Sequence, residues 1–183
     1  MPRIHPLDPA AAEGKAKALL EGVRKALGMT PNLMRTMANS PAVLDAYLGF
    51  NKALAGGSLG APLREQIALT VAGANGCEYC AAAHTALGKM HGLDAAELAA
   101  NLEGRSSNVK IAAALDFARE IVVKRGWVDD VELARVREAG YGEGEVAEIV
   151  ATVAYNTFSN YFNHVAETEV DFPPVALATK AAA

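Results

Sequence analysis

No stretch of this chain alternates apolar and polar residues strictly at period two, and its apolar positions are dominated by alanine and leucine. Punctuation divides those positions into helices. Asp8-Pro9 supplies an N-cap and a first-turn proline for a helix to about Leu27, closed by Gly28. Thr30-Pro31 opens a short helix, and Ser40-Pro41 opens one that ends at Gly56-Gly57. Ala61-Pro62 starts a helix to about Ala74, Asn75-Gly76 makes a turn, and the next helix runs from about Cys77 to near Gly92. Asp94 with Glu97, and Asp129 with Glu132, have capping-box spacing. A long helix fits Ser107 to Arg125, stopped by Gly126, and the last and most apolar one fits Glu143 to Val165. The pattern predicts an all-α fold with a central antiparallel helical hairpin. It predicts one domain over residues 1–175 and, beyond Pro173-Pro174, a loosely held tail over 176–183.

Composition sharpens this picture. The 183 residues are 51% hydrophobic but only 6% aromatic, enough for one domain with a real core. A net charge of −4 gives no electrostatic case for nucleic acid. The first residues hold no apolar run of the secretory kind. The longest uncharged stretch, from Ile149, is broken by Asn156, Asn160, Asn163 and His164, which does not suit a membrane span of about 20 apolar residues. The expectation is a soluble, cytoplasmic protein, in a compartment that keeps thiols reduced.

In that setting the cysteines matter. The chain has two, in Cys77-Glu78-Tyr79-Cys80, with His84 four residues on and Glu65 twelve residues before the pair. At a helix start, Cys77, Cys80 and His84 share a face, and the first-turn N–H groups favour thiolate. An imidazole one turn away can exchange the proton. Burial among alanines and leucines pulls the thiol pKa the other way. If the Asn75-Gly76 turn folds its helices antiparallel, Glu65 stands beside His84 and can orient the ring. Two other readings of the pair stay open, namely two buried packing residues, or metal ligation in which Glu65 completes a set of four.

Glu65-x11-Cys77-x2-Cys80-x3-His84 resembles, residue for residue, the signature of the alkylhydroperoxidase D (AhpD)-like family within the carboxymuconolactone decarboxylase superfamily. The likeness extends through Pro62-Leu63-Arg64-Glu65 and Asn75-Gly76-Cys77, and the run from Asn160 to Pro173 is similar to the longer, peroxidase-related branch. The resemblance implies an all-helical fold assembling into trimers or hexamers. It also implies reduction of organic hydroperoxides at a redox dithiol, with no cofactor and no metal. Cys80 would attack, Cys77 would resolve, and Glu65 with His84 would relay protons. Tyr79 stands where the founding enzymes place a second relay histidine, and is a candidate relay or substrate-lining residue. The electron donor would be a dithiol or a protein. The superfamily's decarboxylases lack the cysteine pair, which disfavours that activity. A protein dithiol–disulfide oxidoreductase or redox sensor remains the alternative.

Asn163 and His164, polar on an apolar helix, are candidate substrate-lining or interface groups. Met29, Met34 and Met37 read as core filler, Trp127 as a packing anchor and His91 as a structural residue. Glu148-x11-Asn160-x2-Asn163 repeats the spacing of Glu65, Cys77 and Cys80, which raises the expectation of an internal duplication.

Overall fold

The structure, a computed structural model, describes residues 1–177, which form nine α-helices and no strand. They are α1 (Gly14–Leu27), α2 (Asn32–Met37), α3 (Pro41–Ala55), α4 (Ala61–Asn75), α5 (Glu78–Met90), α6 (Ala95–Leu102), α7 (Val109–Val123), α8 (Asp130–Glu138) and α9 (Glu143–Ala166). None of these helices is long and apolar enough to cross a membrane.

α4 is the axis of the fold. Gln66 through Ala72 are all buried, because α5, α6, α7 and α9 pack around this helix on every side. A helix buried all round must satisfy its polar side chains internally. Gln66 donates to the Glu97 carboxylate at 3.0 Å, and the Thr70 hydroxyl donates to the Asn101 carbonyl at 2.8 Å. One side of α4 packs into an apolar cluster built on Ile67, Val71, Leu115, Val136 and Ile149. The other meets a cluster of Leu20, Leu33, Met37, Leu44 and Tyr155 that contains both cysteines. α4 can approach α6 closely only because position 73 is glycine. A Cβ there would stand 1.9 Å from the Leu102 carbonyl oxygen.

Several expectations need correction. The first helix begins at Gly14, not at Pro9. Gly14 has φ 53°, which breaks the helical path, and the Asp8 carboxylate caps only a local turn by accepting from Ala10 N–H at 2.9 Å. The preceding segment instead pairs with the end of α9, Arg3 N–H donating to the Ala166 carbonyl at 2.8 Å. The capping box at Asp129 and Glu132 is complete, but only half of the one at Asp94 forms. The Glu97 carboxylate is taken up by Ser106, Ser107, Asn101 and Gln66, and so ties the α6–α7 loop to the core. Trp127 is no anchor. The left-handed pair Arg125-Gly126 ends α7 and turns the indole outward, where it is 87% exposed.

The duplication also falls. Glu65 to Cys80 spans a helical hairpin with a turn, whereas Glu148 to Asn163 lies within the single helix α9. Glu148 does different work, accepting from Ser58 and Leu59 N–H at 2.8 Å each and pinning the α3–α4 loop. Of the expected loose tail, residues 178–183 lie outside the described residues. Leu177 packs against the first core cluster.

Candidate active site

The α4–α5 turn builds the thiol pair. Gly76 takes the left-handed conformation, φ 68°, at the C-terminus of α4, and donates its N–H to the Gly73 carbonyl at 3.2 Å. Cys77 N–H then donates to the Ala72 carbonyl at 2.9 Å, which completes a Schellman closure. This reverses the chain within two residues and leaves Cys77 as the N-cap of α5. Its sulfur accepts from Cys80 N–H at 3.4 Å. The two free thiols lie 2.6 Å apart, 1% and 2% exposed. Very little motion separates them from a disulfide.

The two sulfurs are not equivalent. A hydrogen bond from the Cys80 thiol, reinforced by the Cys80 backbone N–H, outweighs burial and holds Cys77 below the ordinary thiol range. Burial pushes Cys80 well above that range, and a charge on Cys77 adds to the push. The contest therefore divides between the residues: the hydrogen bonds from Cys80, its thiol first and its helix-start N–H second, prevail at Cys77, and burial prevails at Cys80. We expect a thiolate absorbance titration of the reduced protein to show two separated steps, one below and one well above the ordinary thiol range. A single step near the free-cysteine value of about 8.5 would contradict this electrostatic account.

Around the pair, His84 Nδ1 lies 2.7 Å from Glu65 Oε2, with side chains 14% and 16% exposed. The antiparallel hairpin thus brings together residues nineteen apart in sequence. From α9, the Asn163 amide donates to Cys80 Sγ at 3.2 Å, and Asn160 accepts from Asn75 in the hairpin turn at 3.0 Å. Both bonds lie within this chain, so the polar residues of α9 clamp the hairpin and one of them touches the thiol. The Tyr79 hydroxyl accepts from Leu33 N–H at 3.1 Å, and burial raises its pKa. Its ring meets Phe172 edge-on at 5.8 Å. Tyr79 therefore anchors α2 through its hydroxyl and walls the site through its ring. His164 is exposed and stands away from Cys80, on the Cys77 side. Among the described residues, no group of three or more His, Cys, Asp and Glu side chains is arranged to hold a metal ion.

Cys80 and His84 both face a cavity of about 220 Å³, walled by Leu33, Met34, Tyr47, Tyr79, Leu87 and Phe172. Met29 and Met34 line it, while Met37 is core. Tyr47 and Phe172 carry no local sequence signal. Each comes from an element remote in sequence, Tyr47 from α3 and Phe172 from the segment after α9. That segment is held over the site because the Asp171 carboxylate accepts from Asn32 N–H at 2.7 Å. A second concavity on the far side of the His84–Glu65 pair is lined by Arg64, Tyr155 and Asn156.

Fold and site together define an all-helical dithiol protein whose cysteine pair opens the second helix of a buried hairpin. The carboxymuconolactone decarboxylase family matches residues 41–124, from the start of α3 to the end of α7, a little under half of the chain. A peroxidase-related protein from Ralstonia eutropha, described as having the alkylhydroperoxidase AhpD core, superposes with a TM-score of 0.85 at 23% identity, over 93% of this chain and 92% of that one. A peroxidase-related protein from Silicibacter gives 0.78 at 20% identity, over 95% and 93%. The debrominase Bmp8, solved as a cysteine-to-alanine variant with 2,3,4-tribromopyrrole, gives 0.80 at 23%, over 92% and 91%. At these identities the likeness is one of fold, and it runs the length of the chain, well past the family match. No curated protein matches the sequence.

Proposed function

We propose that this protein is a thiol peroxidase that reduces organic hydroperoxides through the Cys77/Cys80 dithiol. The observation that carries the proposal is a pair of sulfurs in contact, one of them facing an apolar cavity that also holds a carboxylate-oriented imidazole. The hydroperoxide enters with its organic group against Met34, Leu87 and Phe172. His84, its ring fixed by Glu65, takes the Cys80 proton as the sulfur attacks the distal oxygen. The O–O bond breaks, and the alkoxide takes a proton back from His84 and leaves as alcohol. Cys80 is now a sulfenic acid. The Cys77 thiolate attacks that sulfur, the S–O bond breaks, and water leaves after protonation. One peroxide has accepted two electrons from two thiols, which end as a disulfide.

Because Cys80 is buried and holds its proton, the relay is required rather than helpful. We expect His84→Ala and Glu65→Gln each to lower kcat/KM by about 10²-fold. Peroxide consumption with excess dithiothreitol measures this, and full activity in both variants would remove the relay from the mechanism. The same assay on the unaltered protein tests the proposal itself. Cumene hydroperoxide should be consumed catalytically, and faster than hydrogen peroxide, because the cavity is apolar. Failure to consume either, with the dithiol still redox-active, would favour the protein oxidoreductase or redox sensor. A second reading is favoured by the same cavity: its aromatic walls, Tyr47, Tyr79 and Phe172, suit a compact ring such as the ligand solved with Bmp8. Release of bromide from a bromopyrrole by the reduced protein would establish it.

We also propose a homo-oligomer, a trimer or hexamer, acting in the cytoplasm. The support is a stripe of exposed apolar residues on α9, namely Val150, Phe158, Tyr161 and Val165. Light scattering on the purified protein would test it, and a monomer at micromolar concentration would contradict it.

A further inference from the structure

The two sulfurs open onto different concavities. Cys80 lines the apolar cavity, and Cys77 does not. Cys77 lines a separate depression of about 310 Å³, whose other walls include Glu78, Asn163, His164, Glu167 and Val170, and to which Cys80 does not contribute. The Tyr79 ring is common to both and stands as the partition between them. Peroxide chemistry at Cys80 leaves this depression, and the exposed imidazole on its rim, without a task.

We propose that this depression is the docking site for the electron donor, a small dithiol bearing no negative charge, so that donor and hydroperoxide reach the cysteine pair from opposite sides. Three observations support it. A polar donor would have to shed water to cross the apolar cavity to Cys80, whereas the depression is more open and carries carboxylate, amide and imidazole groups on its walls. Two carboxylates flank the depression, Glu78 exposed and Glu167 paired with Arg3 at 2.8 Å, in a chain of net charge −4, which opposes an anionic donor. His164 supplies a ring nitrogen on the rim that can hydrogen-bond the incoming thiol.

The exchange balances. A donor thiolate attacks Cys77 Sγ and the S–S bond breaks. Cys80 leaves as a thiolate, receives the Asn163 amide hydrogen bond seen at 3.2 Å, and is protonated through His84. The second donor thiol loses its proton to solvent and attacks the donor sulfur of the mixed disulfide. Cys77 departs as the thiolate that the Cys80 N–H stabilises. The donor ends as a cyclic disulfide, two electrons poorer, and the protein as a dithiol. Leaving-group acidity alone would send the attack to Cys80, because Cys77 is the better leaving group. A donor seated in the depression meets Cys77 and not Cys80, which reverses that choice.

This rests on the peroxidase reading only for the source of the disulfide, so the test makes the disulfide with diamide instead. Diamide-oxidised protein is treated briefly with β-mercaptoethanol, quenched in acid and mapped by peptide mass. The adduct is expected on Cys77, and a predominant adduct on Cys80 would overturn the proposal. His164→Trp, which fills the depression from an exposed position, should slow reduction by dithiothreitol about tenfold, and an unaltered rate would count equally against it. Dimercaptosuccinate, normalised to its rate with a free disulfide, should be about tenfold slower than dithiothreitol, and parity would remove the charge selectivity. If these results hold while peroxides fail to oxidise the protein, the donor site stands and the peroxidase reading falls.

Discussion

Cys80→Ser is expected to lower peroxide turnover by about 10³-fold or more, leaving no activity above the uncatalysed reaction between peroxide and dithiothreitol. The size of the effect follows from placement. Serine keeps the volume and the Asn163 contact, so the fold should survive, but a hydroxyl is neither ionised nor oxidised under these conditions. The remaining thiol cannot substitute, since Cys77 lines the other depression and not the apolar cavity that receives the peroxide. Cys77→Ser should behave differently. Cys80 still meets the peroxide and becomes a sulfenic acid, but no resolving thiol stands beside it. The expected record is a burst of about one equivalent of peroxide, then a stall, with a dimedone adduct on Cys80. Sustained turnover by either variant, measured by peroxide consumption, would overturn the assignment of roles.

Gly73→Ala is expected to destabilise the protein by about 3–5 kcal/mol, lowering Tm by roughly 10 °C. The added methyl would lie 1.9 Å from a backbone oxygen of α6, and backbone cannot swing aside as a side chain can. Relief requires α4 and α6 to separate. α4 carries Glu65 and ends in the turn that sets the sulfurs, so stability and thiol reactivity should fall together. Gly22→Ala is the control with the opposite sign. Gly22 lies inside α1 with nothing within 4 Å of a new Cβ, and alanine there should stabilise by about 0.5–1 kcal/mol. Equal thermal melts for the two variants would mean that the α4–α6 approach is not a constraint.

Much of the site is local, and so could be read along the chain. The spacing of Cys77, Cys80 and His84 is a helix-face argument, and the Asn75-Gly76 turn is a two-residue signal whose consequence, Glu65 beside His84, follows from antiparallel geometry alone. Asn163 stood out because an amide on an apolar helix needs a partner. What escaped was whatever depends on distant segments meeting. Tyr47 and Phe172 look like ordinary core aromatics until α3 and the post-α9 segment close over α5. Asp171 caps a helix 139 residues upstream, and no sequence pattern links the two. Tyr79, a candidate relay or substrate-lining residue, lines the cavity, while its hydroxyl accepts from Leu33 N–H at the start of α2, a contact no local pattern announces. Trp127 misled for a simpler reason. Apolar character says a residue prefers burial, but the left-handed turn before it decides where it points. The single-proton contest at Cys80 could be posed from sequence, but only the depth of burial resolves it.

The most direct measurement is a thiol count after one equivalent of cumene hydroperoxide is added to the fully reduced protein, with no reductant present. Loss of two thiols per peroxide consumed, with a Cys77–Cys80 linkage in the peptide map, is the predicted result. Two free thiols persisting beside unconsumed peroxide would contradict it.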